Sequence, residues 1–113
     1  MEGVPQRIEQ TMGLEETILP LLQLAARFRP RAPNTHWYIF GSCLKDVTRA
    51  QDLDVLVVHG AEDDVTNLRA EVAALKVLPP IDLYIMSEEE EAEFLFVHDQ
   101  GALCIYPATH AQI

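Results

Sequence analysis

The sequence reads as a small domain of the α/β (α+β) class, one β-sheet with helices packed on one face. Short runs of β-branched and aromatic residues recur along the chain, bounded by glycine and proline, as strands are. Between them apolar residues return every three or four positions, the period of an amphipathic helix. The two patterns follow one another as helix, strand, short helix, strand, helix, strand, helix, strand, which is the order of a layered architecture. A chain of 113 residues suits one such unit, so residues 1–113 are read as one domain. Within it, residues 1–13 are expected to be flexible or an extra helical segment, and 107–113 a tail.

Leu14, Ile18, Leu21, Leu22, Ala25 and Phe28 form the apolar stripe of the first helix. Pro20 is tolerated only in a first turn or at a kink, so this helix is expected to begin near Thr17 or to bend there. Pro30 and Pro33 mark a connection into the strand formers Trp37 to Phe40, which stop at Gly41 and Ser42. The polar stretch Lys45 to Gln51 leads to a second strand, Leu53 to Val58, closed by Gly60. Val65, Leu68, Val72 and Leu75 predict a helix within Glu62 to Lys76, stopped by Pro79 and Pro80. Ile81 to Met86 reads as a third strand. Ser87 and Glu90 have capping-box spacing at the head of a helix that Gly101 would end, and Leu103 to Tyr106 completes the set. Phe94 to Val97 is more apolar than a one-sided helix requires, which points to core packing or a partner surface.

Composition narrows the functional classes. Hydrophobic residues make up 49% and charged residues 23%, ordinary globular usage. The formal net charge of −10 has the wrong sign for gripping a phosphate backbone, so no direct nucleic-acid binding is expected. The excess acid falls almost wholly after residue 60, much of it in Glu88 to Glu91 and Glu93. No apolar stretch is long enough for a membrane helix. With no basic, then apolar leader, the expected location is cytoplasmic. Cys43 and Cys104 have no zinc-like spacing, and His36, His59, His98 and His110 are scattered, so neither residue type suggests a metal site.

The chemistry concentrates in one segment. Side chains two apart on a strand share a face, so Asp52 and Asp54 point one way while Leu53, Val55 and Val57 point the other. Asp82 interrupts Ile81, Leu83 and Ile85 in the same manner. If the two strands are neighbours in matched register, three carboxylates converge. Anions about 6 to 8 Å apart repel by about 2 kcal/mol per pair at an effective dielectric of about 20, so partial protonation or a bound cation must offset them. Oxygen ligands without His or Cys favour Mg²⁺ or Mn²⁺, and Mg²⁺ commonly engages substrate phosphates. Gly41 lets backbone approach a ligand closely, and Ser42 at a helix start would offer a hydroxyl and N–H groups to phosphate.

The conjunction of Gly41-Ser42, a short spacer, Asp52-Leu53-Asp54 and a later strand acid, Asp82, resembles the DNA polymerase β superfamily of nucleotidyltransferases. It is most similar to the minimal nucleotidyltransferase domains of prokaryotes, from about Trp37 to Met86. The resemblance implies a mixed, palm-like sheet with helices on one side and the acids on the other. It assigns Asp52, Asp54 and Asp82 as catalytic residues and metal ligands, and Gly41 and Ser42 as contacts to nucleotide phosphates. Lys45 would add a basic contact. Leu44, Lys45 and Asp46 stand where many minimal members have a small residue, a basic residue and a glycine, and Gln51 stands where a serine is common. The activity implied is Mg²⁺-dependent transfer of AMP from ATP to a protein or small-molecule acceptor, with a partner protein or a second copy completing the site. The alternative is an antitoxin-like subunit that neutralises a helical toxin ribonuclease of the HEPN type by binding it, its acidic second half covering a basic surface.

Overall fold

The computed structural model describes residues 3–107, with side chains from residue 13 onward. Helix α1 (Gly3–Phe28) leads into β1 (His36–Phe40), a single 3-10 turn (Gly41–Leu44) and β2 (Leu53–His59). Then come α2 (Leu68–Ala73), β3 (Ile81–Ser87), α3 (Glu88–Phe94), α4 (Phe96–Gln100) and β4 (Leu103–Tyr106). The four strands form one mixed sheet in the order β3-β2-β1-β4. β1 runs antiparallel to β2 and β4, whereas β2 and β3 are parallel, joined by the crossover that contains α2.

Strand alternation divides the apolar residues into two cores. On one face Trp37, Ile39, Leu53, Val55, Val57 and Leu83 meet Leu21, Leu24, Ala25 and Phe28 of α1 and Leu68 and Val72 of α2. On the other face Phe40, Leu56 and Val58 are covered by Phe96, Val97 and Ala102, with Tyr38 and Met86 beside them. Helices therefore cover part of both faces, which corrects the expectation of one covered face. The cause is Leu56 and Val58: they share the face of Asp54 and need apolar cover of their own.

Three further differences have local causes. α1 runs through Pro20 from Gly3 instead of starting near Thr17, so most of the segment 1–13 belongs to this helix; Thr17 bonds back to the Gly13 carbonyl one turn earlier. The helix expected over 62–76 shortens to Leu68–Ala73 because aspartate side chains compete for the backbone N–H groups before it. Asp63 accepts from the N–H groups of Gly60 at 2.7 Å and Asn34 at 3.0 Å, and Asp64 accepts from Thr66 N–H at 2.9 Å. The last helix is two helices, broken where Leu95 takes a left-handed conformation at φ 54°. Glu91 then caps the second piece, its carboxylate accepting from Val97 N–H at 2.8 Å.

The Ser87–Glu90 capping box is present with both bonds, and Gly101 at φ 61° closes α4. The break at Leu95 also separates Phe94 to Val97 into two roles. Phe96 and Val97 pack against the sheet, while Phe94 and Leu95 are 59% and 55% exposed. Both cysteines are free thiols, Cys43 buried and Cys104 half-buried. No helix among the described residues is long and apolar enough to cross a membrane. Residues 108–113, including His110 and most of the expected tail, lie outside the described residues.

Candidate functional site

The strand arrangement brings two of the three acids side by side. β2 and β3 are adjacent and parallel, and their register pairs Asp54 directly with Asp82. Asp52 precedes β2 by one residue and is exposed, as is Asp82, whereas Asp54 is half-buried. The sheet forces this gradation. Asp54 sits opposite Phe40 of β1 on its other side, so it is enclosed by two neighbouring strands, while β3 is an edge strand.

Burial, then the charges of Asp82 and Asp52, push the Asp54 carboxyl above the ordinary carboxylate range. Among the described residues no Lys, Arg or His forms an ion pair with any of the three. The donor chemistry thus suits a hard divalent cation, which would relieve the repulsion at Asp54. The arrangement is not a preformed cage: among the described residues no three His, Cys, Asp or Glu side chains gather closely enough to hold a metal ion.

Gly41 is where the sequence motif and the acids meet. Its φ of 83° is left-handed, and a side chain at this position would overlap the carboxylate oxygen of Asp54. The main chain therefore passes directly over the most buried acid, and only glycine permits both the dihedral and the approach. Ser42 follows, exposed, at the start of a single 3-10 turn in place of the expected helix. Its carbonyl accepts from the N–H groups of Lys45 at 3.0 Å and Asp46 at 3.1 Å. Cys43 faces inward, its thiol donating to the Phe40 carbonyl at 3.2 Å, and burial pushes that thiol up.

Lys45 lines a cleft of about 400 Å³ with Leu14, Leu44, Asp46, Val47 and Thr48, and none of the three acids lines that cleft. Asp46 is committed to its own loop. It accepts from the Thr48 hydroxyl at 2.6 Å and the Thr48 N–H at 3.1 Å, with Arg49 at 3.6 Å. The Thr48 hydroxyl bond is the main reason its carboxyl lies below the ordinary range.

Sequence reasoning missed Tyr84. It stands two residues beyond Asp82 on the same strand face, and its hydroxyl donates to Asp82 Oδ2 at 3.1 Å. That bond, reinforced by the Asp82 charge, keeps the phenol protonated to higher pH than usual. The ring is held by aromatic neighbours, with centroids 5.4 Å from Phe40 and 6.1 Å from Phe96. The same period-two alternation that paired Asp52 with Asp54 already places Tyr84 beside Asp82.

Comparison of this chain with protein-family models, with characterised proteins and with solved structures gives no match.

Proposed function

We propose that this domain is a Mg²⁺-dependent nucleotidyltransferase that moves AMP from ATP to a protein or small-molecule acceptor. The observation that carries the reading is the seating of the Gly41 backbone against Asp54, with Asp82 in register beside it and, among the described residues, no ion-pair partner for either acid. Backbone that approaches closely, next to unpaired carboxylates on a sheet surface, suits a metal-bound polyphosphate better than it suits a structural ion pair.

Asp52, Asp54 and Asp82 would hold the Mg²⁺, or Mn²⁺, and Gly41 and Ser42 would meet the outer phosphates. The metal supplies charge neutralisation at the phosphates and at the attacking oxygen. Lys45 would add a basic contact to those phosphates. Asp82, where it does not ligate the metal, would help remove the proton of an acceptor hydroxyl.

The test is incubation with α-labelled ATP, Mg²⁺ and candidate acceptor proteins, alongside an Asp52→Ala, Asp54→Ala double variant. Label transfer should fall by a factor of order 10²–10³ in the variant, the scale seen when groups that stabilise transition-state charge are removed. Equal transfer by both proteins would refute the reading.

The exposed Phe94 and Leu95, next to Glu88, Glu89, Glu90 and Glu93, favour a second reading: an antitoxin-like binding subunit for a basic partner. Inhibition of a toxic ribonuclease partner that survives in the double variant, without label transfer, would establish binding in place of catalysis.

A further inference from the structure

We propose that the outer edge of β3 is a docking site for an extended, basic segment of a partner protein, which joins the sheet as an added strand. Such docking requires no catalysis by the acids. β3 ends the strand order β3-β2-β1-β4, so among the described residues no strand lies beyond it. The Leu53 N–H donates to the Pro80 carbonyl at 2.8 Å, and from there the parallel register with β2 runs unbroken to His59 and Ser87. In such a ladder alternate residues turn their N–H and C=O groups toward the same neighbour. Pro80, Asp82, Tyr84 and Met86 therefore face β2 with these groups, while Ile81, Leu83 and Ile85 turn theirs outward. Arg69 stands guard at one point of this edge, its Nη1 donating to the Leu83 carbonyl at 3.0 Å. A carbonyl can accept twice, so Arg69 can share that position with an incoming strand.

The two faces beside this edge specify what would bind. A strand laid against β3 puts the side chain opposite Ile81 on the α2 face and the next side chain, opposite Asp82, on the acid face. On the α2 face, Val72, Ala73, Lys76, Val77, Pro80 and Ile81 line a cavity of about 250 Å³ at the start of β3, which suits an apolar side chain. On the acid face Asp82 is exposed, and no Lys or Arg follows Lys76 in the chain. The segment that fits both faces alternates apolar side chains with Lys or Arg. A second copy of this chain fits poorly, because pairing at this edge would join two chains of net charge −10 along their acidic halves. Main-chain bonds to the edge give affinity, and the cavity and the acid select the side chains.

Amide hydrogen exchange on the full chain, with a chelator present and the synthetic peptide acetyl-Lys-Val-Lys-Val-Lys-amide as probe, tests this docking. In the free protein the N–H groups of Ile81, Leu83 and Ile85 should exchange faster than those of Asp82, Tyr84 and Met86. Probe at about ten times its Kd should slow the first set about tenfold. The same peptide N-methylated at both valines has lost the donors that face the edge, and it should leave those rates unchanged. A probe with Glu in place of Lys should bind more weakly. Ala73→Phe, at an exposed position, should fill the cavity and weaken the original probe about tenfold while the variant melts as the wild type does. Equal binding of the N-methylated and original probes would overturn the proposal, as would no slowing at Ile81, Leu83 and Ile85. Slow exchange of these three in the free protein, deepening as protein concentration rises, would overturn it too, because a second copy would then occupy the edge.

Discussion

The two faces of the sheet are built from the same strands by the same alternation, yet they are finished differently. On the α1 and α2 face, Leu21, Leu24, Ile39, Leu53, Val55 and Val57 are completely buried. On the opposite face the cover is partial: Phe96 and Val97 of α4 pack against Phe40, Leu56 and Val58, and Phe40 is the register neighbour of Asp54. The near end of β2 carries Asp52 and Asp54 instead, with Asp82 alongside. Alternate residues of one strand thus serve opposite ends: apolar burial holds the strand in place, and carboxylates held by it repel one another. The α1 and α2 face is given wholly to apolar packing, whereas the other face shares a smaller core with the candidate chemistry, a division that can be broken from either side.

Leu53→Ala should produce the largest loss. Leu53 lies between Asp52 and Asp54 in sequence but is fully buried on the α1 and α2 face. Truncating a core leucine removes apolar contact and leaves a cavity, at a cost of about 2–5 kcal/mol. Chemical denaturation should show this as a lower midpoint with an unchanged slope. Asp52→Ala, one residue away and exposed, should leave the midpoint of the metal-free protein nearly unchanged. Comparable losses at the two positions would mean that the faces are not energetically separate.

Gly41→Ala tests where the two faces meet the turn. A non-glycine residue in the left-handed region costs about 1–2 kcal/mol, and the added methyl would also displace the Asp54 carboxylate. The second cost depends on Asp54, so a double-mutant cycle isolates it. In an Asp54→Ala background, Gly41→Ala should be milder than in the wild-type chain, because only the dihedral penalty remains. Identical effects in both backgrounds would show that Gly41 is required for its dihedral angle alone.

Much of this division was legible in the sequence, because strand alternation is a local property. Asp52-Leu53-Asp54 and Ile81-Asp82-Leu83 give away the faces, and Trp37 to Phe40, Gly41 and the Ser87–Glu90 box mark element boundaries. At the level of sequence the adjacency and matched register of the two acid-bearing strands is only a condition, since register between distant strands is a long-range outcome. Helix extent was less readable. Asp63 and Asp64 have ordinary places in a helical pattern; the bond from Asn34 to Asp63 exists only in the folded chain, while those from Gly60 to Asp63 and from Thr66 to Asp64 are local turn bonds that compete with the helix. The break at Leu95 carries no glycine or proline to announce it, and it is supported from a distance by Glu91.

The smallest effect is the most diagnostic of the acid face. Asp54 has its carboxyl pushed up in the folded protein by burial and by the charges of Asp82 and Asp52, with no such surroundings in the unfolded chain. Above the raised folded value the group is ionised in both states, and its charge disfavours the fold. Between that value and the ordinary carboxylate range the native state binds more proton than the unfolded one, so its contribution to stability improves as pH falls. Asp54→Asn removes the charge at nearly constant shape. In the presence of a chelator this variant should melt above the wild-type protein at neutral pH, and the difference should shrink as pH drops through the carboxylate range. Saturating Mg²⁺ should raise the wild-type melting temperature and leave the variant's nearly fixed, since relief of repulsion is what the ion offers. A variant that melts below wild type at every pH would instead place Asp54 among the residues that hold the fold together, and the division between the two faces would fail at its centre.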